Sequence, residues 1–382
     1  MTRALLLIAF VLTACNERTN ERANKAAPAM APATSDALPK SVDLATELET
    51  LRAEHKLPAV AAAAWRDGKL LEIAAVGLRK ADDATSKVTT KDLWHLASNT
   101  KAMTATLIGI YIDRGALRWN DTVAQLFRGQ NIDPGYAKVT LDQLVRHEGG
   151  APATPPDELW KQLWTDAGAP DARTKFVRAL LAKPPAQPPG TFVYSNAGYM
   201  VAGHALEIAA GRRWDQLIRD ELFTKLDMKS CGFGAPGSKA VPKLEPKIDQ
   251  PWGHDAGGTP IAPGPAADNP PGLGPAGTVH CSLEDYGKFL SLHATGSPSI
   301  VTPETFQHLQ TARSMGYAGG WMVVTSKRGP LLMHSGSNTM WYATAVVAPG
   351  EKLAFVIVTN SGSDALEKSL EKLLARYVPP AP

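Results

Sequence analysis

The chain has 382 residues, 44% of them hydrophobic, with 32 glycines and 30 prolines. That is enough apolar material for one large domain or two intimate subdomains, and enough turn formers for a loop-rich globular protein. The formal net charge is +3; Arg3 is the only charged residue in positions 1 to 14, so its loss leaves +2. So small an excess excludes the concentrated positive field that a nucleic-acid partner requires.

Arg3 is followed by an apolar run from Ala4 to Thr13, too short to cross a bilayer but suited to the core of a secretory leader. The run ends in Leu12-Thr13-Ala14-Cys15, which resembles the lipobox of bacterial lipoproteins. The resemblance implies a signal peptide over residues 1–14, cleavage before Cys15, and a lipid on that thiol. The protein would then be exported and tied to a bacterial membrane on its periplasmic or cell-surface side. Residues 15–39, rich in Ala, Pro, Asn and Glu, read as a flexible tether. The folded domain is expected over residues 40–377.

From Ser41 to Leu57, leucines at positions 44, 48 and 51 keep helical spacing and stop before Pro58, predicting an amphipathic first helix. Ala59 to Leu78 reads as alternating strands turning at Asp67-Gly68, a strong hairpin signal. The stretch from Trp94 to Gly115 predicts a helix that begins at Ser98, buries Met103, Leu107 and Ile110 along one side, and stops at Gly115. Thr140 caps a short helix through Val145. His147 follows it and reads as structural, since an imidazole at a helix C-terminus meets the dipole and its free carbonyls. Further helices are expected from Arg173 to Leu181 and from Gly198 to Ala210, the second closed by Gly211. Residues 231 to 280 hold most of the Gly and Pro clusters and read as a long structureless wall or lid.

Helices start again at Ser282, running through His293, and at Thr302-Pro303. Strands are expected over 321–325, 331–334, 340–347 and 353–359, with turns at Lys327-Arg328-Gly329 and Pro349-Gly350, and a last helix from Asp364 to Tyr377. Strands at both ends with helices between them predict an α+β fold. One antiparallel sheet built from N- and C-terminal strands, about 40–110 and 275–377, would face a mainly helical lobe over about 115–270. A cleft between the lobes is the natural place for a site.

Ser98 and Lys101 are one helical turn apart, which stacks a hydroxyl beside an amine at the positive end of a helix. Ser-x-x-Lys alone is weak, and a second copy stands at Ser369 and Lys372 inside a charged terminal helix. Only the first copy is followed by Tyr194-Ser195-Asn196 and His334-Ser335-Gly336. In this order the three motifs resemble the serine β-lactamase and penicillin-binding-protein superfamily, in its class C β-lactamase branch with related esterases and D-amino-acid peptidases. Leu141 to Gly150, Pro189 to Tyr199, and Pro275-Ala276-Gly277 followed by Ser282 to Tyr286 extend the likeness over about residues 40–377.

The resemblance implies a serine hydrolase that forms an acyl-enzyme on Ser98 and acts on an ester, amide or lactam. The substrate would be a small molecule or a peptidoglycan-derived one. Tyr194 becomes a usable base if Lys101 stabilises its phenolate, and Lys101, neutral through burial, is the other candidate. Asn196 is expected to project its amide toward Lys101 or the substrate. The backbone N–H groups of Ser98 and Ser337 would form an oxyanion hole, with His334, Ser335 and Gly336 lining the substrate site. His334 stands where relatives that bind carboxylates carry lysine, so carboxylate recognition is expected to be weak and pH-dependent. The alternative function is a penicillin- or peptidoglycan-binding lipoprotein with little turnover. Gln250 to His254, Asp268 to Pro271 and Trp341 read as structural turns near the cleft. Cys231 and Cys281 lie in an oxidising compartment if the chain is exported, and whether they pair is open. Neither has ligand-spaced neighbours, so no metal and no cofactor is expected.

Overall fold

The computed structural model describes residues 42–239, 246–313, 315–326 and 329–377. The expected leader with Cys15, the expected tether, and Lys327-Arg328 lie outside the described residues. Helix α1 (Leu44–Glu54) starts at Asp43, whose carboxylate accepts the Thr46 N–H at 3.0 Å. Strands β1 (Ala59–Arg66) and β2 (Lys69–Gly77) are joined through Asp67 and Gly68, both at positive φ, +50° and +74°. Two consecutive positive φ values define the primed turn that matches strand twist.

β3 (Leu93–His95) leads through a tight 3₁₀ turn, Ala97–Asn99, into α2 (Thr100–Asp113). The helical lobe includes α3 (Leu141–Val145), α4 (Ala172–Leu181) and α5 (Asn196–Ala210), which ends on Gly211 at φ +64°. Four short strands follow, β4 (Gly232–Phe233), β5 (Gly253–His254), β6 (Pro260–Ile261) and β7 (Val279–Ser282), with the helical turn α6 (Gly274–Gly277) before the last. The described residues of the stretch expected to be structureless therefore include short ordered pieces, pinned by β-bridges and side-chain hydrogen bonds. Then come α7 (Leu283–Thr295), α8 (Pro303–Gln310), β8 (Met322–Ser326), β9 (Gly329–Ser337), β10 (Tyr342–Ala348), β11 (Leu353–Thr359) and α9 (Leu370–Leu374). The terminal helix opens with a 3₁₀ segment, Ala365–Ser369, and is shorter than its charge pattern suggested.

The main sheet has the order β2-β1-β11-β10-β9-β8, every pair antiparallel, so N- and C-terminal strands do build one sheet. β1 does not alternate: Ala59 to Trp65 are all buried. Its odd positions pack toward α2 and α7, while Val60, Ala62 and Ala64 pack with Leu44, Leu48 and Leu51 of α1 and with Leu370 and Leu373 of α9. A strand covered by helices on both faces needs apolar residues on both. α2 likewise corrects the one-sided expectation: Thr100 to Tyr111 are all buried, because the helix lies between the sheet side and the helical lobe. The small sheet β3-β7-β4 is closed by a disulfide between Cys231 and Cys281.

Candidate active site

Between Trp94 and Tyr111 every residue is buried except Ser98, which is half-buried and so reachable by a ligand. The turn carrying it is pinned on all sides. Leu96 donates its N–H to Val279 O at 2.8 Å, and the Asn99 amide donates to Leu96 O and Ala343 O at 3.0 and 3.1 Å. Tyr286 OH donates back to the Asn99 side-chain oxygen at 3.0 Å. Ala97 sits at φ +46°, a left-handed conformation that costs a non-glycine residue about 1–2 kcal/mol. That backbone reversal turns the chain from β3 into α2 and leaves Ser98 at the entrance of the helix.

Lys101 Nζ lies 3.0 Å from Ser98 Oγ, 2.7 Å from Asn196 Oδ1 and 2.7 Å from Ala276 O. The amine is wholly buried, and desolvation holds its pKa well below the ordinary lysine range. A neutral amine has two N–H groups and one lone pair. Two carbonyl oxygens accept from the amine, and the Ser98 hydroxyl stands at its remaining position.

Asn196 is the first residue of α5, and Ser195 before it is the N-cap, accepting the Gly198 N–H at 3.1 Å and donating to Pro152 O at 2.6 Å. This cap sets the entry of the chain, so Tyr194 and Asn196 flank a fixed point. The Tyr194 ring lies against the buried amine, its centroid 4.8 Å from Lys101 Nζ. The three motif residues Ser98, Lys101 and Tyr194 thus converge, with Asn196 bridging the helical lobe to α2.

β9 supplies the opposite wall. A Cβ at Gly336 would stand 2.5 Å from Leu96 O and 2.6 Å from Ser98 N. The absent side chain therefore admits the Ser98 turn itself, rather than substrate as the sequence suggested. It sets the backbone leading into Ser337 beside the Ser98 N–H. Ser335, next along β9, is half-buried, and its hydroxyl meets Thr344 Oγ1 of β10 at 3.0 Å. The Ser337 hydroxyl accepts the Thr339 N–H at 2.9 Å and shapes the turn into β10.

His334 is 5% exposed, and its Nε2 is 3.0 Å from Tyr317 OH. Burial, with Lys101 nearby, pushes its pKa down to about 3. The expectation of a partly charged imidazole is thereby corrected: at neutral pH this position is an uncharged hydrogen-bonding group. His147 is also neutral rather than a cation meeting a helix dipole. Desolvation first, then Lys101 and His334, hold its pKa well below the usual value. Its Nδ1 accepts the Ser195 N–H at 3.0 Å and its ring packs on Tyr194 with centroids 4.3 Å apart.

A family model described as Beta-lactamase matches residues 44–377. The chain belongs to the beta-lactamase family. It is 28% identical over 335 residues to Penicillin-binding protein 4 of Amycolatopsis lactamdurans, covering 82% of this chain and 84% of that one. It spans 54% and 58% of the length of two other relatives. Among solved structures it resembles a class C beta-lactamase from Rhodobacter sphaeroides, with TM-score 0.68, 21% identity, and 87% and 98% of the two chains covered. A D-stereospecific amidohydrolase from Streptomyces sp. aligns with TM-score 0.66, 19% identity, and coverage of 86% and 98%. At such identities the likeness establishes the shared fold.

In this beta-lactamase-family chain the second Ser-x-x-Lys stands apart from the site, with Lys372 mostly exposed on α9. Gln250, His254, Asp268 and Trp341 have structural partners: the Gln250 side chain accepts the Leu93 N–H, His254 bridges Ala81 N and Asn360 O, Asp268 meets His95, and Trp341 stacks on His95. Sequence reasoning missed Tyr317, which holds His334, and Ala276, whose carbonyl holds Lys101. Pro275-Ala276-Gly277 was legible as a family-like stretch, but a backbone acceptor leaves no residue-type signal. Among the described residues no group of three or more His, Cys, Asp or Glu is placed to hold a metal ion.

Proposed function

We propose that the protein hydrolyses an ester or amide of low charge through an acyl-enzyme on Ser98. The observation that carries this reading is the buried, hydrogen-bonded amine of Lys101 at 3.0 Å from Ser98 Oγ. Lys101 takes the Ser98 proton as Oγ bonds to the substrate carbonyl carbon, and the carbonyl electron pair moves onto oxygen. The backbone N–H groups of Ser98 and Ser337 receive that oxyanion, each contributing on the order of 3 kcal/mol. As the intermediate collapses, Tyr194 gives its hydroxyl proton to the leaving group and regains one from the Lys101 ammonium. Water then attacks the acyl carbon by the reverse proton route, and Ser98 is regenerated.

His334 supports the low-charge substrate, because a neutral imidazole tied to Tyr317 supplies hydrogen bonds but no cation for a carboxylate. Labelling with a fluorophosphonate and intact-mass analysis should place one adduct on Ser98, abolished by Ser98→Ala. A panel of short-chain esters, D-amino-acid amides and a chromogenic cephalosporin should then show turnover of the first two above the third. Folded protein that takes no label would refute the reading.

A second reading follows from the similarity to Penicillin-binding protein 4: a penicillin acceptor that acylates and does not release. A long-lived penicillin adduct without ester turnover selects it. We also propose that Cys15 carries a lipid in the exported protein. Partition into a detergent phase, lost in Cys15→Ala, tests that anchor.

A further inference from the structure

We propose that His95, backed by Asp268, is a positioning residue that holds the Ser98 turn in its reactive conformation, an inference that rests on Ser98 being the nucleophile. Ala97, immediately before Ser98, is at φ +46°, and its N–H donates to His95 Nδ1 at 3.1 Å. A nitrogen that accepts carries no proton, so the His95 proton sits on Nε2. Nε2 lies 2.7 Å from Asp268 Oδ1 and donates to it. The carboxylate thus fixes the tautomer, and the tautomer supplies the acceptor that the reversed Ala97 backbone requires.

This chain of contacts is shielded and doubly anchored. His95 is fully buried, and the Asp268 side chain is 8% exposed. Trp341 stacks on the imidazole with centroids 5.6 Å apart. The Trp341 backbone N–H donates to Asn338 Oδ1 at 3.1 Å, and the Asn338 amide in turn donates to Ala267 O at 3.2 Å. Asn269, next to Asp268, donates to Gly277 O at 3.1 Å, and Gly277 packs closely on the Ala97–Ser98 backbone. The 267–269 loop therefore grips the nucleophile turn from two directions. Neither His95 nor Asp268 touches Ser98, so their effect passes through the Ala97 backbone.

Two substitutions separate the acceptor from the bulk of the ring. In His95→Asn the amide oxygen stands where Nδ1 stood and can take the Ala97 N–H. In His95→Gln the polar end reaches the Nε2 position and leaves that N–H without its acceptor. The expected result is that His95→Gln slows acylation of Ser98 by a fluorophosphonate and by p-nitrophenyl acetate about 10- to 100-fold, as misplacing a nucleophile does. KM and the thermal midpoint should stay near wild type, and His95→Asn should recover most of the rate. Equal rates in wild type and His95→Gln overturn the proposal, and so does equal slowing in Gln and Asn variants. If His95→Gln does not fold, Asp268→Ala removes the group that fixes the tautomer and carries the same expectation; an unchanged rate there overturns it. A wild-type protein that takes no label on Ser98 overturns the nucleophile reading and this inference together, whereas normal labelling in every variant overturns this inference alone.

Discussion

Gly336→Ala is the sharpest probe of the site, because it adds one methyl where strand β9 meets the Ser98 turn. The new Cβ would lie 2.5 Å from Leu96 O, 2.6 Å from Ser98 N and 3.1 Å from Asn99 N. All three are backbone atoms, which cannot swing aside as a flexible side chain can. Restoring an ordinary 3.4 Å contact at the closest of them requires β9 and the turn to separate by about 0.9 Å. Overpacking of this kind costs about 1–3 kcal/mol of stability. A displacement near 1 Å costs about 100-fold in rate when it falls between reacting groups, equivalent to about 2.7 kcal/mol of activation energy. The same displacement pulls Ser337 away from the Ser98 N–H, so the loss should fall on acylation rather than on substrate binding. Urea unfolding gives the stability change, and pre-steady-state bursts with an activated ester give the acylation constant. A variant that keeps wild-type acylation while remaining folded would show that the Ser98 turn and β9 need no close contact for chemistry.

Lys101→Met should lower acylation by about 10²- to 10⁴-fold through loss of the base, and the wild-type kcat/KM profile should hold at neutral pH. Because burial holds the amine well below the ordinary lysine range, a rising limb centred near pH 10 would contradict a neutral Lys101 base. Acid should destabilise the fold through buried histidines: burial holds His280 at about 4 and His293 and His334 at about 3. The unfolded chain binds those protons near pH 6.5, so stability is fully present above that value and falls as the pH drops toward 4. At pH 5 these three alone give a slope approaching three protons, about 4 kcal/mol per pH unit, and His147, also held well below its usual value, adds to it. Urea midpoints at pH 7, 6 and 5 read this out; His293→Gln should reduce the proton uptake by about one, and a flat profile would contradict neutral burial. The disulfide closes a separation of 50 residues, so Cys231→Ala should cost about 4 kcal/mol, measured against wild type with and without reductant.

Elements whose signals are local were readable from the chain alone. Asp67-Gly68 makes the hairpin turn, Thr140 caps α3, Ser282 and Thr302 cap α7 and α8, and Gly211 ends α5, each through contacts within four residues. The order of Ser98, Tyr194 and His334 pointed to the candidate site by its resemblance to a known family rather than by any local contact. Reading β1 as half-exposed and α2 as one-sided went wrong because both lie between two packed layers, a fact of assembly that no local window contains.

What the amino-acid sequence determined by itself is therefore the inventory: which hydroxyl, amine, phenol and imidazole are present, and which turns deliver them. Tertiary structure decided their chemical state. Lys101 is stripped of water and held by the carbonyl of Ala276, 175 positions away. His334 is neutral because Tyr317 and the surrounding rings enclose it, and Ala97 is reversed where β3, β7 and β9 meet. Charge and strain depend on the dielectric and on backbone groups brought from distant segments, so they exist only once the chain has folded.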